Sequence, residues 1–282
     1  MINFNSVLFT SGSHILVVYN KMEETVAKMV LQYYDTEMFD GTVFVLKVLT
    51  NEYSEDIDFR GKFPGWNKYI YYQLDHLIIH PEYMSPEHIS QFDEIWDFAL
   101  ENTWQYPEEI NDKVYFMPLR YVNIPKIPPQ DEYKFDIGFI GSLTTFRFDW
   151  ITKITQYKSD KYCRVKVITG GVPYSQLYDE VADCKYLLNI PRSGDDWVQN
   201  HQRIFEYISS GKAVISKAAQ VDNFEWLIKK VERYRDIYDA IKDDPQDMSE
   251  TYKEWTGDDI SYEEYRKAIY SPTYKPRLFL NI

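Results

Sequence analysis

An arginine and a glutamate three positions apart, Arg203 and Glu206, precede Gly211 in the segment QRIFEYISSGKAVIS. The segment predicts a helix over residues 199–210 that ends at the glycine and leads into an apolar strand. Side chains three apart share a helix face, and such a helix begins at the carboxyl edge of an open α/β sheet, where ligands bind. A guanidinium there suits a diphosphate, and a carboxylate suits a ribose diol. An ordinary surface ion pair between the two side chains is the competing interpretation.

Short β-rich runs alternate with helical stretches along the chain, which is the pattern of parallel sheets covered by helices. In the first half the predicted helix covers 22–34, and the predicted strands are 14–19, 43–48, 69–74, 94–98 and 114–117. In the second half the predicted strands are 135–140, 165–168, 186–190 and 213–216, and the predicted helices are 147–157, 174–182 and 199–210. The sequence therefore predicts an α/β fold of two Rossmann-like domains that face each other across a cleft.

The predicted boundary between the two halves is a segment with three prolines at positions 125–129. Proline fixes its own backbone torsion and cannot donate a ladder hydrogen bond, so this segment is expected to be a stiff connector. We predict an N-terminal domain over residues 1–121, a linker over 122–134 and a C-terminal domain over 135–282. The last helices of the C-terminal domain could pack back on the N-terminal domain.

The charge balance is acidic, because 44 Asp and Glu residues against 31 Lys and Arg give a net charge of −13. This balance argues against a general affinity for nucleic acid or anionic membranes. The one basic cluster is expected on a solvated helix face and consists of Lys229, Lys230, Arg233 and Arg235. No apolar run approaches the ~20 residues of a membrane span, and the start of the chain is unlike a secretion signal. We therefore expect a cytoplasmic protein without membrane insertion.

Taken in order along the chain, these motifs resemble those of the fold-B glycosyltransferases. The segment around Arg203 resembles their donor-site signature, Arg-x-Phe-Glu-Ala followed by two small residues and Gly-x-Pro. DIGFIGSL (136–143) followed by Arg147 resembles the strand and Gly-Ser turn that begin their nucleotide-sugar domain. The segments KYIYYQLDHL (68–77), FDEIWDFALEN (92–102) and VYFMPLRY (114–121) resemble a small bacterial and viral group related to spore-coat glycosyltransferases. A likeness to the phage DNA β-glucosyltransferases is remote.

The resemblance implies transfer of a hexosyl or pentosyl group from a nucleotide-sugar donor, most often a uridine diphosphate sugar in similar enzymes, to an acceptor hydroxyl. It implies a donor site on the C-terminal domain, an acceptor site on the N-terminal domain and no metal or other cofactor. The donor-binding residues that it implies are Gly141, Ser142, Arg147, Asn189, Arg203, Glu206 and Gly211. A Gly-Ser turn lets backbone N–H groups approach a diphosphate closely, and Arg147 could neutralise it.

Asp75, just past an apolar strand, is the candidate catalytic base, which would deprotonate the acceptor hydroxyl while the anomeric carbon is attacked. A helix N-cap or an exposed carboxylate explains this residue equally well. Two positions depart from the family pattern. Val198 stands where many retaining members have a second glutamate, and Ala213 stands where proline is usual. The first departure slightly favours direct displacement with inversion.

A metal site is not expected. The pair His76 and His80 flanks an apolar run, and the Asp-Ile-Asp triplet at 56–58 follows polar residues rather than a strand. Cys163 and Cys184 are expected to be small buried residues. Two other functions stay open at this point: a nucleotide-sugar-binding module of the same fold without catalysis, and a phage-type enzyme that glycosylates a modified base in DNA.

Overall fold

The computed structural model describes residues 6–8, 14–19, 23–46, 58–74, 86–103, 105–157, 162–169, 179–192, 201–218 and 227–256. These residues form two mainly parallel sheets with helices packed on them, which confirms the predicted α/β class. Contacts divide the described chain into two compact units, with the division between Val122 and Asn123. No helix in the described ranges is long and apolar enough to cross a membrane.

The sheet of the first unit lies in chain order. Its strands are β1 (Ser6–Leu8), β2 (Ile15–Tyr19), β3 (Thr42–Leu46), β4 (Lys68–Gln73), β5 (Glu94–Asp97) and β6 (Val114–Phe116). β1 is antiparallel to β2, and each later neighbour is parallel. Its helices are α1 (Glu24–Tyr34), α2 (Phe59–Lys62), α3 (Pro86–Ile89) and α4 (Leu100–Thr103), with 3-10 turns at Glu37–Phe39 and Glu108–Lys113. The order never reverses, so the described strands of this sheet lack the switch point of a Rossmann domain.

The side chains of β2 to β6 are buried on both faces of this sheet, which agrees with the nearly continuous apolar runs of β2, β3 and β6. On one face Tyr34 of α1 packs against Phe44 and Trp96, with ring centroids 6.1 and 4.8 Å apart. On the opposite face Phe59 of α2 and Tyr71 of β4 belong to one buried cluster. Large aromatic side chains therefore supply much of the buried area of this unit.

The sheet of the second unit is parallel and doubly wound. Its strands are β7 (Phe135–Ile140), β8 (Val165–Ile168), β9 (Cys184–Asn189), β10 (Val214–Lys217) and β11 (Lys229–Val231). Their spatial order is β8-β7-β9-β10-β11. The helices are α5 (Thr145–Gln156), α6 (His201–Ser209), α7 (Ile237–Ala240) and α8 (Ser249–Thr256), with a 3-10 turn at Tyr234–Asp236. This is the 2-1-3-4-5 strand order, which has a switch point between its first and third strands, here β7 and β9.

The crossovers that leave β7 and β9 run in opposite directions across the sheet. Because both crossovers are expected to be right-handed, α5 and α6 lie on opposite faces. Trp150 and Ile154 of α5 pack in one cluster with Phe139 of β7, and Ile204 and Ile208 of α6 are buried as well. The switch point therefore has a helix N-terminus above each face.

Most predicted elements of the second unit are confirmed within a few residues, but one prediction was wrong. The basic segment around Lys229 is not a solvated helix face, because it forms β11 and pairs with β10. The Lys229 ammonium donates to the Tyr186 hydroxyl and to Asp243, at 3.0 Å each. Arg233 pairs with Asp236 in the following 3-10 turn. Residues 174–178 of the predicted 174–182 helix lie outside the described residues.

Much of the predicted linker packs within the second unit. Ile124 and Ile127 are buried, and the Ile127 N–H donates to the Ser210 carbonyl (2.8 Å). Lys126 forms an ion pair with Glu250 (2.7 Å). By contact, this unit begins at Asn123, within the predicted linker. The predicted packing of the last helices on the N-terminal domain is not tested, because residues 257–282 lie outside the described residues.

Candidate functional site

The carboxyl ends of β7 and β9 lie side by side at the switch point. The chain leaves one strand toward α5 and the other toward α6 on the opposite face, and this divergence opens a crevice between the two loops. Gly141 and Ser142 follow β7, and Asn189 ends β9. Arg147 and Arg203 reach the same place from the first turns of the two helices. The structure thus brings these predicted site residues together.

Gly141 occupies a conformation that favours glycine, with φ of +141°. A Cβ at this position would lie 2.9 Å from Nη2 of Arg203. Its own N–H donates to the Ile168 carbonyl at the end of β8 (3.1 Å). The absence of a side chain at position 141 therefore allows a guanidinium to approach the end of β7.

Helix α5 begins at the crevice with a well-formed N-terminus. Thr144 is its N-cap, and the Thr144 hydroxyl also donates to the Arg192 carbonyl (2.7 Å). Leu143 and Phe148 stand at the N′ and N4 positions of this helix, and both are exposed. The positive end of the helix dipole therefore points into the crevice.

Arg147, in the first turn of α5, is only 5% exposed. Its Nε donates to the carbonyls of Ile190 (3.0 Å) and Pro191 (3.1 Å). Its Nη1 donates to the carbonyl (3.1 Å) and the hydroxyl (3.3 Å) of Ser142. Arg147 therefore fastens the loop that follows β7 to the loop that follows β9.

Arg203, in the first turn of α6, approaches from the other face of the sheet. Its Nη1 donates to Oδ1 of Asn189 (3.0 Å) and to the Ile190 carbonyl (3.4 Å). The guanidinium carbons of Arg203 and Arg147 lie 5.6 and 5.8 Å from the ring centroid of Phe139. The two cations therefore meet at one aromatic side chain of β7.

Two cationic side chains, Arg147 and Arg203, meet at the crevice in a chain whose net charge is −13. The hydrogen bonds described above for both guanidiniums go to neutral oxygens, and these bonds orient the two side chains. Burial lowers the pKa of Arg203 from its ordinary value, because the charged form loses its water. Lys217 adds another cation at the carboxyl end of β10. An anion in the crevice would replace part of the lost hydration.

Glu206 lies one turn beyond Arg203 on α6 and is 2% exposed. The spacing of three places both residues on one side of the helix, as predicted. The two are not an exposed surface pair, because the carboxylate is fully buried and the guanidinium is half-buried. This geometry weakens the interpretation of an ordinary surface ion pair.

The structure places Gly211 away from the other predicted donor-binding residues. It lies past the carboxyl end of α6, about 12 Å along the helix axis from Arg203. Gly211 has φ of +79° and donates to the Ile208 carbonyl, while the Lys212 N–H donates to the Tyr207 carbonyl. This is a Schellman motif, so the glycine ends the helix and does not line the crevice.

The predicted catalytic base, Asp75, lies outside the described residues. The strand before it is confirmed, because β4 ends at Gln73 and Leu74 is buried. Also outside are His76, His80 and Val198. Asp58 of the Asp-Ile-Asp triplet accepts a hydrogen bond from the Gly61 N–H (2.8 Å) as the N-cap of α2. No group of three or more His, Cys, Asp or Glu in the described ranges could hold a metal ion.

Three residues at the crevice were not found from the sequence: Phe139, Ser216 and Lys217. The Ser216 hydroxyl accepts a hydrogen bond from Nδ2 of Asn189 (2.9 Å). A polar residue near the end of an otherwise apolar predicted strand was the available signal for Ser216. Phe139 gave no signal, because an aromatic residue in an apolar strand is explained by the core alone. Cys163 and Cys184 are buried, as predicted. Burial raises the pKa of both thiols to about 12.

The comparisons with known proteins give no family assignment, because no family model and no curated protein matches the chain. Several solved structures are similar to it at low identity. A glycosylation associate protein complex (Gap123) from Streptococcus agalactiae is 12% identical over 71% of this chain and 47% of the other, with a TM-score of 0.43. TarM is 10% identical over 71% of this chain and 47% of the other, with a TM-score of 0.42.

An alpha-glucosyltransferase in complex with UDP and a 13-mer DNA containing a HMU base is 11% identical over 92% of this chain and 82% of the other, with a TM-score of 0.44. The chain spans about half the length of the Streptococcus agalactiae protein and of TarM. The α/β class is established by the two sheets themselves, and the function proposed below rests on the crevice.

Proposed function

We propose that the chain is a glycosyltransferase that binds the diphosphate of a nucleotide-sugar donor at the β7/β9 switch point. One observation carries the proposal. Arg147 and Arg203 come from helices on opposite faces of the sheet and converge over Phe139, beside the positive-φ turn at Gly141. A diphosphate carries negative charge on both phosphates, and two guanidiniums at one crevice suit that charge.

Each residue of the crevice has a role in this proposal. Arg203, the Gly141–Ser142 turn and Arg147 with the N-terminus of α5 bind the diphosphate and stabilise the charge that grows on it as the sugar leaves. Glu206 accepts hydrogen bonds from the ribose diol. The nucleotide is taken to be uridine diphosphate. These groups supply the electrostatic stabilisation that a metal ion supplies in other transferases.

The acceptor reaction is proposed from the sequence. Asp75, which follows β4, removes the proton from an acceptor hydroxyl while that oxygen attacks the anomeric carbon of the donor. The bond from the anomeric carbon to the diphosphate breaks in the same step, and the configuration inverts. The acceptor class is left to experiment, with a glycan hydroxyl and a modified DNA base as the two kinds to compare.

The donor site is tested by thermal unfolding of the protein with a panel of nucleoside diphosphates and nucleotide sugars. A ligand at about a hundred times its Kd adds about 2.7 kcal/mol, which raises the Tm of a protein of this size by a few degrees. The variant Arg203→Gln should lose most of this shift with the preferred nucleotide, because it removes one of the two charges at the diphosphate.

The matched control is Arg164→Gln. Arg164 precedes β8 at the opposite edge of the same sheet, where it pairs with Asp136 (3.0 Å). This variant should keep the full ligand shift. The proposed donor site is contradicted if no nucleotide raises the Tm of wild type. It is also contradicted if Arg203→Gln and Arg164→Gln show equal ligand-induced shifts in Tm. Binding without release of nucleoside diphosphate, with every acceptor tried, would instead indicate a binding module.

A further inference from the structure

A directed chain of hydrogen bonds runs from Arg203 into the sheet. Its Nη1 donates to Oδ1 of Asn189 (3.0 Å), and Nδ2 of Asn189 donates to the hydroxyl of Ser216 (2.9 Å). The Ser216 hydroxyl in turn donates to the Lys217 carbonyl (3.0 Å). Asn189 and Ser216 are both fully buried. They are direct neighbours in the register of β9 and β10 and share the face that carries α6.

We propose that Asn189 and Ser216 are positioning residues that hold the Arg203 guanidinium at the crevice through a neutral acceptor. Neither residue has to touch the donor in this role. The inference deepens the proposed function and rests on it for the identity of the bound anion.

The direction of each bond in the chain is fixed by chemistry. A guanidinium only donates, so the oxygen of the Asn189 side chain must face Arg203 and its nitrogen must face Ser216. The serine accepts from that nitrogen and has one proton left, which goes to the Lys217 carbonyl. A flipped amide would place two donors against each other. The chain therefore selects one orientation of the amide and one position for the guanidinium.

An amide at position 189 matters because aspartate has nearly the same shape. A carboxylate there would also accept from Arg203 and from the Ser216 hydroxyl, but it would add a negative charge in contact with the guanidinium. In a site with little water such a pair attracts strongly, and it would compete with a bound anion. Asparagine fixes the geometry without this competition.

The test compares wild type with Asn189→Asp, using calorimetric titration with inorganic pyrophosphate and with UDP. We expect Asn189→Asp to bind both about tenfold to a hundredfold more weakly, the range expected for a charge-assisted hydrogen bond. Its Tm without ligand should equal or exceed that of wild type, because the new carboxylate pairs with the half-buried Arg203 guanidinium. A merely structural role predicts the reverse, a lower Tm with the affinity of the folded protein unchanged.

A second pair of variants tests the far end of the chain. Ser216→Ala removes the acceptor of the Asn189 amide, and its matched control is Ser210→Ala. Ser210 is also a buried serine that donates to a carbonyl (2.7 Å), but at the other end of α6. We expect weaker pyrophosphate binding in Ser216→Ala only. In an Arg203→Gln background the effect of Ser216→Ala should vanish, because it acts through the guanidinium.

The outcomes separate the two proposals. If wild type binds UDP and Asn189→Asp binds it equally well, the inference is wrong and the donor site stands. If wild type binds pyrophosphate but no nucleotide, the proposed function is wrong and the positioning role stands on the pyrophosphate data. Binding of neither compound contradicts both.

Discussion

At the scale of single residues, His88 is a titratable group buried among aromatic rings. It is 4% exposed, and its ring centroid lies 4.8 Å from that of Tyr71 and 5.2 Å from that of Phe92. Burial lowers the pKa of its imidazole to about 4 from the usual 6.5. Between these two values the unfolded chain binds a proton that the folded chain does not, so the free energy of unfolding must fall as the pH is lowered from 6.5 to 4.

The measurement is urea unfolding of wild type and His88→Gln at pH 7 and pH 4.5. The stability of wild type relative to the variant should drop by about 2 to 3 kcal/mol between these pH values. Carboxylates titrate in the same range, but both proteins share them, so their contribution cancels in the difference. Parallel losses of stability in the two proteins would show that His88 does not titrate in this way.

At the same scale, the sequence predicted most of the crevice by residue type. Arg147, Arg203 and Asn189 lie at one switch point. This could be predicted, because the carboxyl ends of parallel strands lie at the same edge of a sheet. Gly211 was assigned to the donor site with them, although a glycine after a helix is explained by the helix end alone. Phe139 could not be distinguished from a core residue, since its contact with two guanidiniums depends on helices that only the fold brings together.

At the scale of elements, Gly211 provides a test of this distinction. Gly211→Ala should lower the free energy of unfolding by about 1 kcal/mol, because φ is positive there and a side chain is strained. The new Cβ would also lie 3.3 Å from Asp247. Nucleotide affinity should not change, since the site lies at the other end of α6. Chemical unfolding and titration with UDP measure the two quantities.

The control for this variant is Gly65→Ala. Gly65 also has a positive φ, of +90°, but an added Cβ would meet nothing within 4 Å. It therefore reports the cost of the backbone conformation alone, and Gly211→Ala should cost at least as much. If Gly211→Ala lost more nucleotide affinity than Gly65→Ala, Gly211 would be part of the donor site after all.

Elements with a strong apolar pattern were predicted well, and those made by pairing were not. β7 and β8 have the predicted bounds, because both are apolar or alternating runs between polar turns. β11 contains two lysines in three residues and has no such pattern. Its strand conformation comes from parallel pairing with β10 and from the bonds of the Lys229 ammonium, which are tertiary contacts. Context of this kind overrides local propensity in short strands.

At the scale of the whole molecule, the sequence predicted the α/β class and two units, but not the arrangement of strands. Both halves alternate strands with helices, and that alternation is compatible with several strand orders. The first sheet keeps chain order, while the second reverses after β8. Only the second therefore has a switch point among its described strands, and the candidate donor site lies in that unit. The net charge of −13 did not indicate an anion site, because a few arginines change the total charge very little.

The two buried thiols have a practical consequence for labelling. Only the thiolate reacts with maleimides or with Ellman's reagent, and a pKa of about 12 at Cys163 and Cys184 leaves almost none at pH 7.5. The folded protein should therefore react slowly at both positions, and fast reaction before unfolding would contradict this. Cysteines introduced at Met38 in the first unit and Tyr162 in the second, which are 69% and 90% exposed, should react quickly. Such a doubly labelled protein would report the distance between the two units by fluorescence energy transfer, with and without nucleotide, while both native cysteines stay in place.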